Sequence, residues 1–577
     1  MRRRAALPAL LAAAALALTS CSIVPTSSPT VPITQAPDRP VQNGGFEPLP
    51  PAPGATPEEV VRGFVDAAAS TVRGRPVAAE YLAPDAARTW SDATSITIIG
   101  QGYATVAGEG GSVEVTATQV GSVDQRGVFT VAGAEPFSYA FPLAEVDGEW
   151  RITDPPDVLV MLESDFERLY HRIEAYFPDP TLQRLVPDPR YLIRGEAQPT
   201  ALVERLIEGP SGPLVRSVVN PLDGARLART VTVEEQTARV DLADVVVEPA
   251  TPLREMCAQL VWTLTQLDDV GVRAVEITAD GEPLDCGDVP EQQTVDDWAV
   301  FDPDASPLAA VGHYLDAGGL RRTTDGQPAP GPAGQAGAGL TSAAVSADPR
   351  TGQLTFLVGV RSEPGGASLV RGRYDGDLAP VLPGGGTLTA PTVAATSREV
   401  WVVRNGVEIV RLPEDGPPQG VGAPTLSTSG RTAQIIELSP DSVRLAVVAA
   451  DPQGVRRLYV GTVVREPQLS VQDLIEVTPG LTSVLDVAWR SPGEMWVLAG
   501  QPDQQQLYSV GVDGWDLSTV GRAGLPARPT SLAAAPGRPP LVVAGESIWQ
   551  WSDAGQRWVT LLRGQEPVRG TAPFYPQ

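Results

Sequence analysis

The chain has 577 residues and a formal net charge of −26, with 43 basic residues against 69 acidic ones. Every basic residue apart from the two histidines is an arginine, which excludes a P-loop lysine, a Schiff-base lysine and a Ser-x-x-Lys nucleophile pair. An acidic excess of this size repels nucleic acid, and a chain of this length is expected to hold several domains.

Residues 1–20 have the pattern of a lipoprotein signal peptide. Arginines 2–4 precede the apolar run Ala5–Leu18, which is too short to span a bilayer, and Cys21 follows small residues. Ser20 stands where such signals usually have Gly or Ala, and an ordinary signal peptide with an incidental Cys is the alternative. The pattern predicts acylation of Cys21 and anchoring of the chain to the extracytoplasmic face of the cell membrane.

Residues 21–56 are rich in Pro, Ser, Thr, Ala and Gly. This composition cannot build a hydrophobic core and favours extended polyproline conformations. We therefore expect a semi-rigid linker that holds the folded part away from the lipid, within or across a thick envelope.

Residues 57–156 are predicted to form an α+β domain. Thr56 can cap a helix that begins at Pro57, and Glu59 completes a capping box. The segment Gly148–Ile152 resembles the last strand of domains similar to nuclear transport factor 2, and a scaffold role is expected for it. The buried helix face is predicted at Val60, Val61, Phe64, Val65 and Ala68, a second helix at Val77–Leu82, and strands at Ser95–Ile99, Ser112–Thr118, Gly127–Val131, Phe137–Phe141 and Glu149–Ile152.

Residues 157–292 are predicted to hold a connector helix and a second α+β unit. The turn Asp154–Asp157 marks the boundary, and Thr200 is expected to cap a later helix. The segments Gln259–Thr265 and Val275–Gly281 resemble the GerMN domain of spore-germination and envelope proteins. The other predicted elements are the connector helix with Phe166, Leu169, Tyr170, Ile173 and Phe177, strands at Val231–Val233 and Val240–Leu242, a helix over Leu253–Leu267 and a strand at Ala274–Ala279.

Two cysteines remain after Cys21, namely Cys257 and Cys286. An even number of cysteines in an exported protein predicts one disulfide bond. A metal-binding pair is the alternative, but the chain has only two histidines to complete such a site. The GerMN resemblance implies that Cys257 lies on a helix and Cys286 just past a strand.

In residues 293–577 short apolar strands recur between turns rich in Gly, Pro and Asp. The repeats lie 44–49 residues apart, the size of one four-stranded propeller blade. Leu438–Asp441 resembles the blade opening of TolB-like propellers, with Ser442 where Gly is usual, and Thr571–Pro573 is expected to close the ring. We favour six blades, with seven open and a pair of β-sandwiches as the competing all-β fold. The repeats begin near Ala343, Pro391, Leu438, Val487 and Ser531, and Trp298–His313 is a candidate for a sixth.

No recognisable catalytic motif is present: there is no Gly-x-Ser-x-Gly elbow, His-Glu-x-x-His helix or EF-hand loop. His171, on the predicted connector helix, and His313, in the propeller, are expected to be packing or solvated residues. Asp302–Asp304 is interpreted as a turn, and Asp268–Asp269 as part of an acidic surface. We therefore expect no enzyme activity, no metal and no cofactor.

The order of parts, with the connector motif at Tyr176–Pro180 and Leu185–Arg190, resembles the LpqB family of actinobacterial lipoproteins. The resemblance implies an accessory factor that binds the extracytoplasmic part of the sensor histidine kinase MtrB and tunes MtrA–MtrB signalling to envelope homeostasis and cell division. Two other classes stay open. An envelope hydrolase would need two close carboxylates in a deep cavity. A glycan- or metabolite-binding lipoprotein would be favoured by exposed tryptophans, with Trp549, Trp551 and Trp558 as the candidates; packing between propeller strands explains these residues at least as well.

Overall fold

The computed structural model describes residues 48–577 except 134–135, 196, 247–251, 308–310, 349–350, 383, 503 and 563–565. The signal peptide, Cys21 and most of the predicted linker lie outside the described residues. Among the described ones, no helix is both long and apolar enough to cross a membrane. The fold is mostly β-structure with a few short helices, in three successive regions.

The N-terminal region packs helices against two sheets, as predicted for an α+β domain. The capping box is confirmed: Glu59 N donates to Thr56 Oγ1 at 3.3 Å, and Thr56 N donates to Glu59 Oε2 at 2.8 Å. The sheets have the orders β5-β4-β1-β8 and β2-β3-β6-β7. The elements are α1 (Pro57–Ala67), α2 (Pro76–Glu80), α3 (Pro84–Thr89), β1 (Ile96–Ile99), β2 (Ala104–Ala107), β3 (Ser112–Ala117), β4 (Gln119–Val123), β5 (Phe129–Val131), β6 (Phe137–Val146), β7 (Glu149–Ile152), β8 (Leu159–Leu162) and α4 (Glu163–Leu169).

The middle region consists of a long hairpin and a sheet of order β11-β13-β14-β15, to which β12 adds on β13. Strands β13 and β14 are parallel and are joined through α6, which makes a βαβ unit. The elements are β9 (Tyr170–Pro178), β10 (Leu185–Ile193), α5 (Gln198–Ile207), β11 (Arg226–Leu227), β12 (Thr232–Glu234), β13 (Thr237–Ala243), α6 (Leu253–Leu264), β14 (Ala274–Ala279), β15 (Glu282–Pro283) and a 3₁₀ helix (Val295–Phe301).

Three predictions for this region are wrong. The connector helix ends at Leu169, and β9 follows it, because Ile173, Ala175 and Phe177 are buried at every second position and pair with β10. His171 therefore lies on a strand. Thr200 does not cap α5, which begins at Gln198; its Oγ1 accepts a hydrogen bond from Val231 N at 3.0 Å.

The described strands of the C-terminal region form six sheets arranged as a propeller. The first sheet joins β16 (His313–Asp316) and β17 (Gly319–Arg322) to β39 (Thr571–Phe574), so the predicted closing strand is confirmed. The second sheet consists of β18 (Leu340–Ala347), β19 (Leu354–Glu363), β20 (Gly366–Arg373) and β21 (Ala379–Leu382), and the third of β22 (Thr392–Val393), β23 (Val400–Arg404), β24 (Glu408–Leu412) and β25 (Gln419–Val421), followed by α7 (Pro424–Thr428). The fourth sheet consists of β26 (Thr432–Leu438), β27 (Arg444–Ala450), β28 (Arg456–Val464) and β29 (Ser470–Glu476), and the fifth of β30 (Val484–Ser491), β31 (Glu494–Ala499), β32 (Gln506–Gly511) and β33 (Ser518–Val520). The sixth sheet consists of β34 (Pro529–Ala535), β35 (Arg538–Ala544), β36 (Ser547–Ser552), β37 (Arg557–Thr560) and β38 (Val568–Arg569).

The predicted repeat starts fall in or next to the innermost strand of each of the five sheets that follow the first. The candidate unit at Trp298 is an exception. Trp298 and Phe301 lie on the 3₁₀ helix and pack in the core of the middle region, together with Leu260 and Leu264 of α6. The placement of Trp298 in a propeller unit is therefore wrong, since the propeller strands begin at His313.

Candidate functional site: the domain junction and the propeller channel

The β9–β10 hairpin contacts the propeller through several long-range hydrogen bonds. Arg172 Nη2 donates to the Gly493 carbonyl at 3.1 Å, and the Tyr191 hydroxyl donates to Asp513 Oδ2 at 2.9 Å. In the reverse direction, Arg444 of β27 donates to the Pro187 carbonyl of the hairpin. The connector motif identified in the sequence is thus a strand pair that fastens the propeller.

The turn Ser439–Arg444 of the propeller is shaped for this contact. Ser442 adopts a φ of 61°, the left-handed conformation for which Gly is usual at this point. Asp441 Oδ1 accepts a hydrogen bond from Val443 N at 2.9 Å, and Val443 packs against Val186 of the hairpin and Leu214. Ser442, which stands where Gly is usual, therefore adopts the turn conformation that Gly would have.

The N-terminal region is held at the same hairpin. Arg126 Nη2 donates to the carbonyls of Glu208, Gly209 and Pro210, which satisfies acceptors at the C-terminal end of α5. Tyr191 N donates to the Gly127 carbonyl at 2.8 Å. An ideal Cβ at Gly127 would lie 3.0 Å from the Tyr191 carbonyl oxygen, so this contact needs a glycine.

An aromatic cluster joins the regions at this point. Trp515 of the propeller contacts Phe129 of β5, Phe166 of α4 and Tyr191 of β10, with ring centroids 5.0, 5.2 and 5.7 Å away. A cavity of about 130 Å³ lies beside the cluster and is lined by all three regions. The N-terminal, middle and propeller regions therefore share one buried junction.

Two buried carboxylates of the hairpin have opposite pKa shifts. Burial alone would raise the pKa of Asp188, but Arg190 and the amide of Ser211 hold it below its ordinary value. Burial raises the pKa of Glu174, and Arg172, whose Nη2 lies 2.8 Å from Glu174 Oε1, offsets only part of that effect. Each buried acid has an arginine partner, as buried charges generally require.

The propeller axis holds a second cavity, of about 220 Å³, lined by the innermost strands. The side chains of Glu437 on β26 and Asp486 on β30 reach this channel. Asp486 Oδ2 accepts a hydrogen bond from Leu532 N at 2.9 Å and Oδ1 accepts one from Val487 N at 3.0 Å. Burial raises the pKa of Asp486 to about 7, and burial together with Asp486 raises that of Glu437 well above its ordinary value.

One end of the channel is covered by the segment that links the middle region to the propeller. Ser306 Oγ donates to the Pro536 carbonyl at 2.7 Å, and Arg538 Nη2 donates to the Pro307 carbonyl at 3.3 Å. Arg184 of the hairpin donates to the Pro440 carbonyl at 3.2 Å on the same side. The channel therefore has the form of a pocket closed on the hairpin side.

Neither Glu437 nor Asp486 belongs to a motif recognised in the sequence. Each directly precedes an apolar residue that marks a predicted repeat start, Leu438 and Val487. An acid at the same offset in two successive repeats is the signal that would have found them. Their proximity follows only from the closing of strands into a ring.

The histidines and acids singled out from the sequence do not assemble into a catalytic or metal site. His171 Nδ1 lies 3.6 Å from Asp269 Oδ2, and Asp268 pairs with Arg273 at 2.8 Å. Asp304 N donates to Asp302 Oδ1 at 2.9 Å, which is turn geometry. In the part of the chain that the structure describes, no group of three or more His, Cys, Asp or Glu side chains could hold a metal ion.

His313 is a packing residue of the closing sheet. Its ring stacks on Phe574 with centroids 5.4 Å apart, and Nε2 lies 2.7 Å from the Tyr374 hydroxyl. Burial lowers the pKa of His313 to about 4. The imidazole is therefore neutral under ordinary conditions.

The tryptophans proposed as a sugar platform are packed inside the propeller. Trp551 and Trp558 are buried, and both contact Trp496 with centroids 6.0 and 6.1 Å away. Trp549 is only partly exposed and packs against the same cluster. The sugar platform is therefore a wrong interpretation of these residues.

The structure links Cys257 of α6 to Cys286 by a disulfide, with Cα atoms 6.1 Å apart. Both residues are buried in the core of the middle region. The bond ties the helix of the βαβ unit to the loop that follows β15.

Fold and junction together define a multidomain protein in which a C-terminal propeller is fastened to two smaller regions. Family models match in the same order: "Lipoprotein LpqB, N-terminal domain" at residues 50–167, "Sporulation and spore germination" at 174–285 and "Lipoprotein LpqB beta-propeller domain" at 318–576. Lipoprotein LpqB of Rhodococcus jostii is 30% identical over 536 residues, covering 88% of this chain and 87% of the relative. The chain belongs to the LpqB lipoprotein family.

A second relative, Lipoprotein LpqB of Streptomyces coelicolor, is 29% identical and covers 100% of this chain and 98% of its own. Among solved structures, TolB of Acinetobacter baumannii is 12% identical and covers 46% of this chain and 50% of its own, with a TM-score of 0.26. That score is too low to support an argument. Family membership implies a membrane-anchored lipoprotein, and the resemblance to nuclear transport factor 2 stays a prediction.

Proposed function

We propose that this protein is an extracytoplasmic accessory lipoprotein that binds the sensor histidine kinase MtrB and modulates MtrA–MtrB signalling, linked to envelope homeostasis and cell division. Membership of the LpqB family supports the proposal. The kinase partner is what the resemblance of the sequence to that family implies. The observation that carries it is the domain junction, because the hairpin makes the three folded regions one unit.

A unit of this kind acts by contact. Acyl chains on Cys21 would confine it to the membrane of the kinase, and confinement raises the effective concentration, so that a weak contact suffices. Modulation further requires different affinities for the active and inactive states of the kinase.

We expect the kinase to contact the propeller face that lies opposite the hairpin. On the hairpin side, the loops at Ser439–Arg444, Gly493 and Asp513 are already engaged in contacts within the chain. The opposite loops precede the innermost strands and surround the open end of the channel.

The test is binding of the full chain to the purified extracytoplasmic domain of MtrB, with both proteins in one nanodisc preparation. Saturable binding at moderate salt, with hydrogen-exchange protection at the loops around residues 478–483 and 524–528, supports the proposal. A Cys21→Ser variant in solution serves as the control: it should still bind, but more weakly, because only the confinement is lost. Absence of binding in the shared membrane would exclude the accessory role.

A second candidate, a metabolite-binding lipoprotein, is favoured by one observation, the closed-ended channel with its two carboxylates. The burial of Trp551 and Trp558 argues against the glycan-binding form of this candidate.

A further inference from the structure

We propose that the propeller channel is a binding site for a small organic cation, bearing an amino or guanidinium group, held between the carboxylates of Glu437 and Asp486. The inference goes beyond the proposed kinase contact and does not depend on it. It is carried by the cavity, by the two acidic side chains of its lining and by the absence of a basic side chain among the described residues that line it.

The two acids of the cavity have no basic partner, in contrast to a buried acid elsewhere in the propeller. Glu399, a fully buried acid of the propeller, is paired with both Arg411 and Arg465. Among the described residues, neither Glu437 nor Asp486 forms an ion pair, and no arginine lines the channel. A carboxylate without a basic neighbour either keeps its proton or, when the proton leaves, gains a bound cation as its counter-charge.

The carboxylate of Asp486 is already oriented. Amide hydrogens of Leu532 and Val487 hold both its oxygens, so a cation meets a fixed acceptor and little side-chain entropy is lost on binding.

Size and ligand number favour an organic cation over a metal ion. A volume of about 220 Å³ corresponds to roughly seven waters, enough for a molecule of about ten non-hydrogen atoms. A divalent metal ion needs about six oxygen ligands, whereas the described residues of the channel lining include two acidic side chains and no histidine or cysteine. An amino group is satisfied by two or three acceptors.

Glu437, Asp486 and Tyr575 are the titratable side chains of the lining. The Tyr575 hydroxyl donates to the Pro539 carbonyl, and burial holds its pKa far above the neutral range. Because the pKa of Asp486 is about 7, a cation competes with a proton for this carboxylate. Affinity should therefore rise between pH 6 and pH 8.

The experiment is calorimetric titration of the full chain, in detergent and at 0.3 M salt, with putrescine and with its uncharged analogue 1,4-butanediol. We expect saturable binding of one putrescine per chain, at least about fivefold tighter at pH 8 than at pH 6, and no binding of the diol. The pH comparison uses the unaltered protein, so it does not depend on the folding of any variant.

Glu437→Gln and Asp486→Asn should each weaken putrescine binding at least tenfold, because each removes one charge at nearly constant volume. Glu546→Gln is the matched control: Glu546 is 78% exposed on the propeller surface and pairs with Arg569. Equal affinity in Glu437→Gln and in the unaltered protein, non-saturable binding or a pH-independent affinity would each overturn the proposal.

Discussion

The hydroxyl of Tyr191 donates a hydrogen bond to Asp513 at 2.9 Å, across 322 positions of the sequence. The backbone amide of Tyr191 also donates a hydrogen bond to the Gly127 carbonyl of the N-terminal region. The ring of Tyr191 contacts the indole of Trp515. One residue of the hairpin thus contacts the N-terminal region and the propeller at once. Substitutions at Tyr191 and at the residues that contact it therefore test the junction.

Tyr191→Phe should lower the free energy of unfolding by about 1–3 kcal/mol, because Asp513 loses its buried donor while the ring packing stays. Denaturant unfolding followed by tryptophan fluorescence measures the loss. Tyr103→Phe is the control, since the Tyr103 hydroxyl forms no hydrogen bond with the residues that the structure describes. An equal loss in both variants would contradict the role given to the Tyr191 hydroxyl.

Gly127→Ala should open the junction between the N-terminal region and the hairpin. Gly127 has a φ of 77°, and its new Cβ would meet the Tyr191 carbonyl. Gly148 has a φ of 84°, and no heavy atom lies within 4 Å of the place that a Cβ would occupy there. Gly148→Ala therefore measures the destabilisation from backbone strain alone. We expect proteolysis near residues 154–157 to speed up in Gly127→Ala only. Similar rates in the two variants would show that the close approach is unimportant.

His313 should make the protein less stable in acid. Its folded pKa of about 4 is below the ordinary 6.5, so the unfolded chain takes up a proton first as the pH falls. The stability associated with the neutral ring is complete above pH 6.5 and is lost progressively towards pH 4, by up to about 3 kcal/mol. The measurement is the unfolding free energy of the unaltered protein minus that of His313→Gln, from pH 7.5 to 4. A constant difference would be inconsistent with the buried neutral histidine.

Asp486→Asn leaves one of two backbone amides without an acceptor, but its stability relative to the unaltered protein should rise as the pH increases from 5 to 8. The folded pKa of Asp486, about 7, is above the ordinary 3.8, so its favourable contribution is complete below pH 3.8 and is lost as the pH rises through 7. Asparagine avoids the buried charge, so the stability of the variant relative to the unaltered protein should increase by about 2–4 kcal/mol between pH 5 and pH 8. Thermal unfolding at pH 5 and pH 8 measures it. A relative stability that is higher at pH 5 would show that the sign is wrong.

Removal of the disulfide should lower the unfolding free energy by about 3–4 kcal/mol, the chain-entropy value for a loop of 29 residues. The comparison is between the unaltered protein and a Cys257→Ala, Cys286→Ala double variant. Reductant should destabilise the first and leave the second unchanged. Peptide mass spectrometry after cleavage at arginine tests the bond directly, and two free thiols in the unreduced protein would contradict it.

Local patterns in the sequence predicted much of the fold. The Thr56–Glu59 capping box, the apolar face of α6 and the spacing of the propeller repeats all depend on neighbours in the chain, and the structure confirms them. The helical spacing of apolar residues at positions 166, 169, 170, 173 and 177 predicts a helix, whereas the structure has β9 over Tyr170–Pro178. The alternation of buried residues in β9 became decisive only through pairing with β10.

The sequence by itself determined the domain order, the family and the position of the connector motif, since these depend on residue types and spacings along the chain. Only the tertiary structure shows that the connector motif contacts the propeller and that Glu437 and Asp486 line the same channel. Glu437 and Asp486 are 49 residues apart and share a channel because successive sheets pack around one axis. Tyr191 and Asp513 meet because the hairpin lies against the propeller. Contacts across hundreds of residues arise from packing of whole sheets, which no local pattern records.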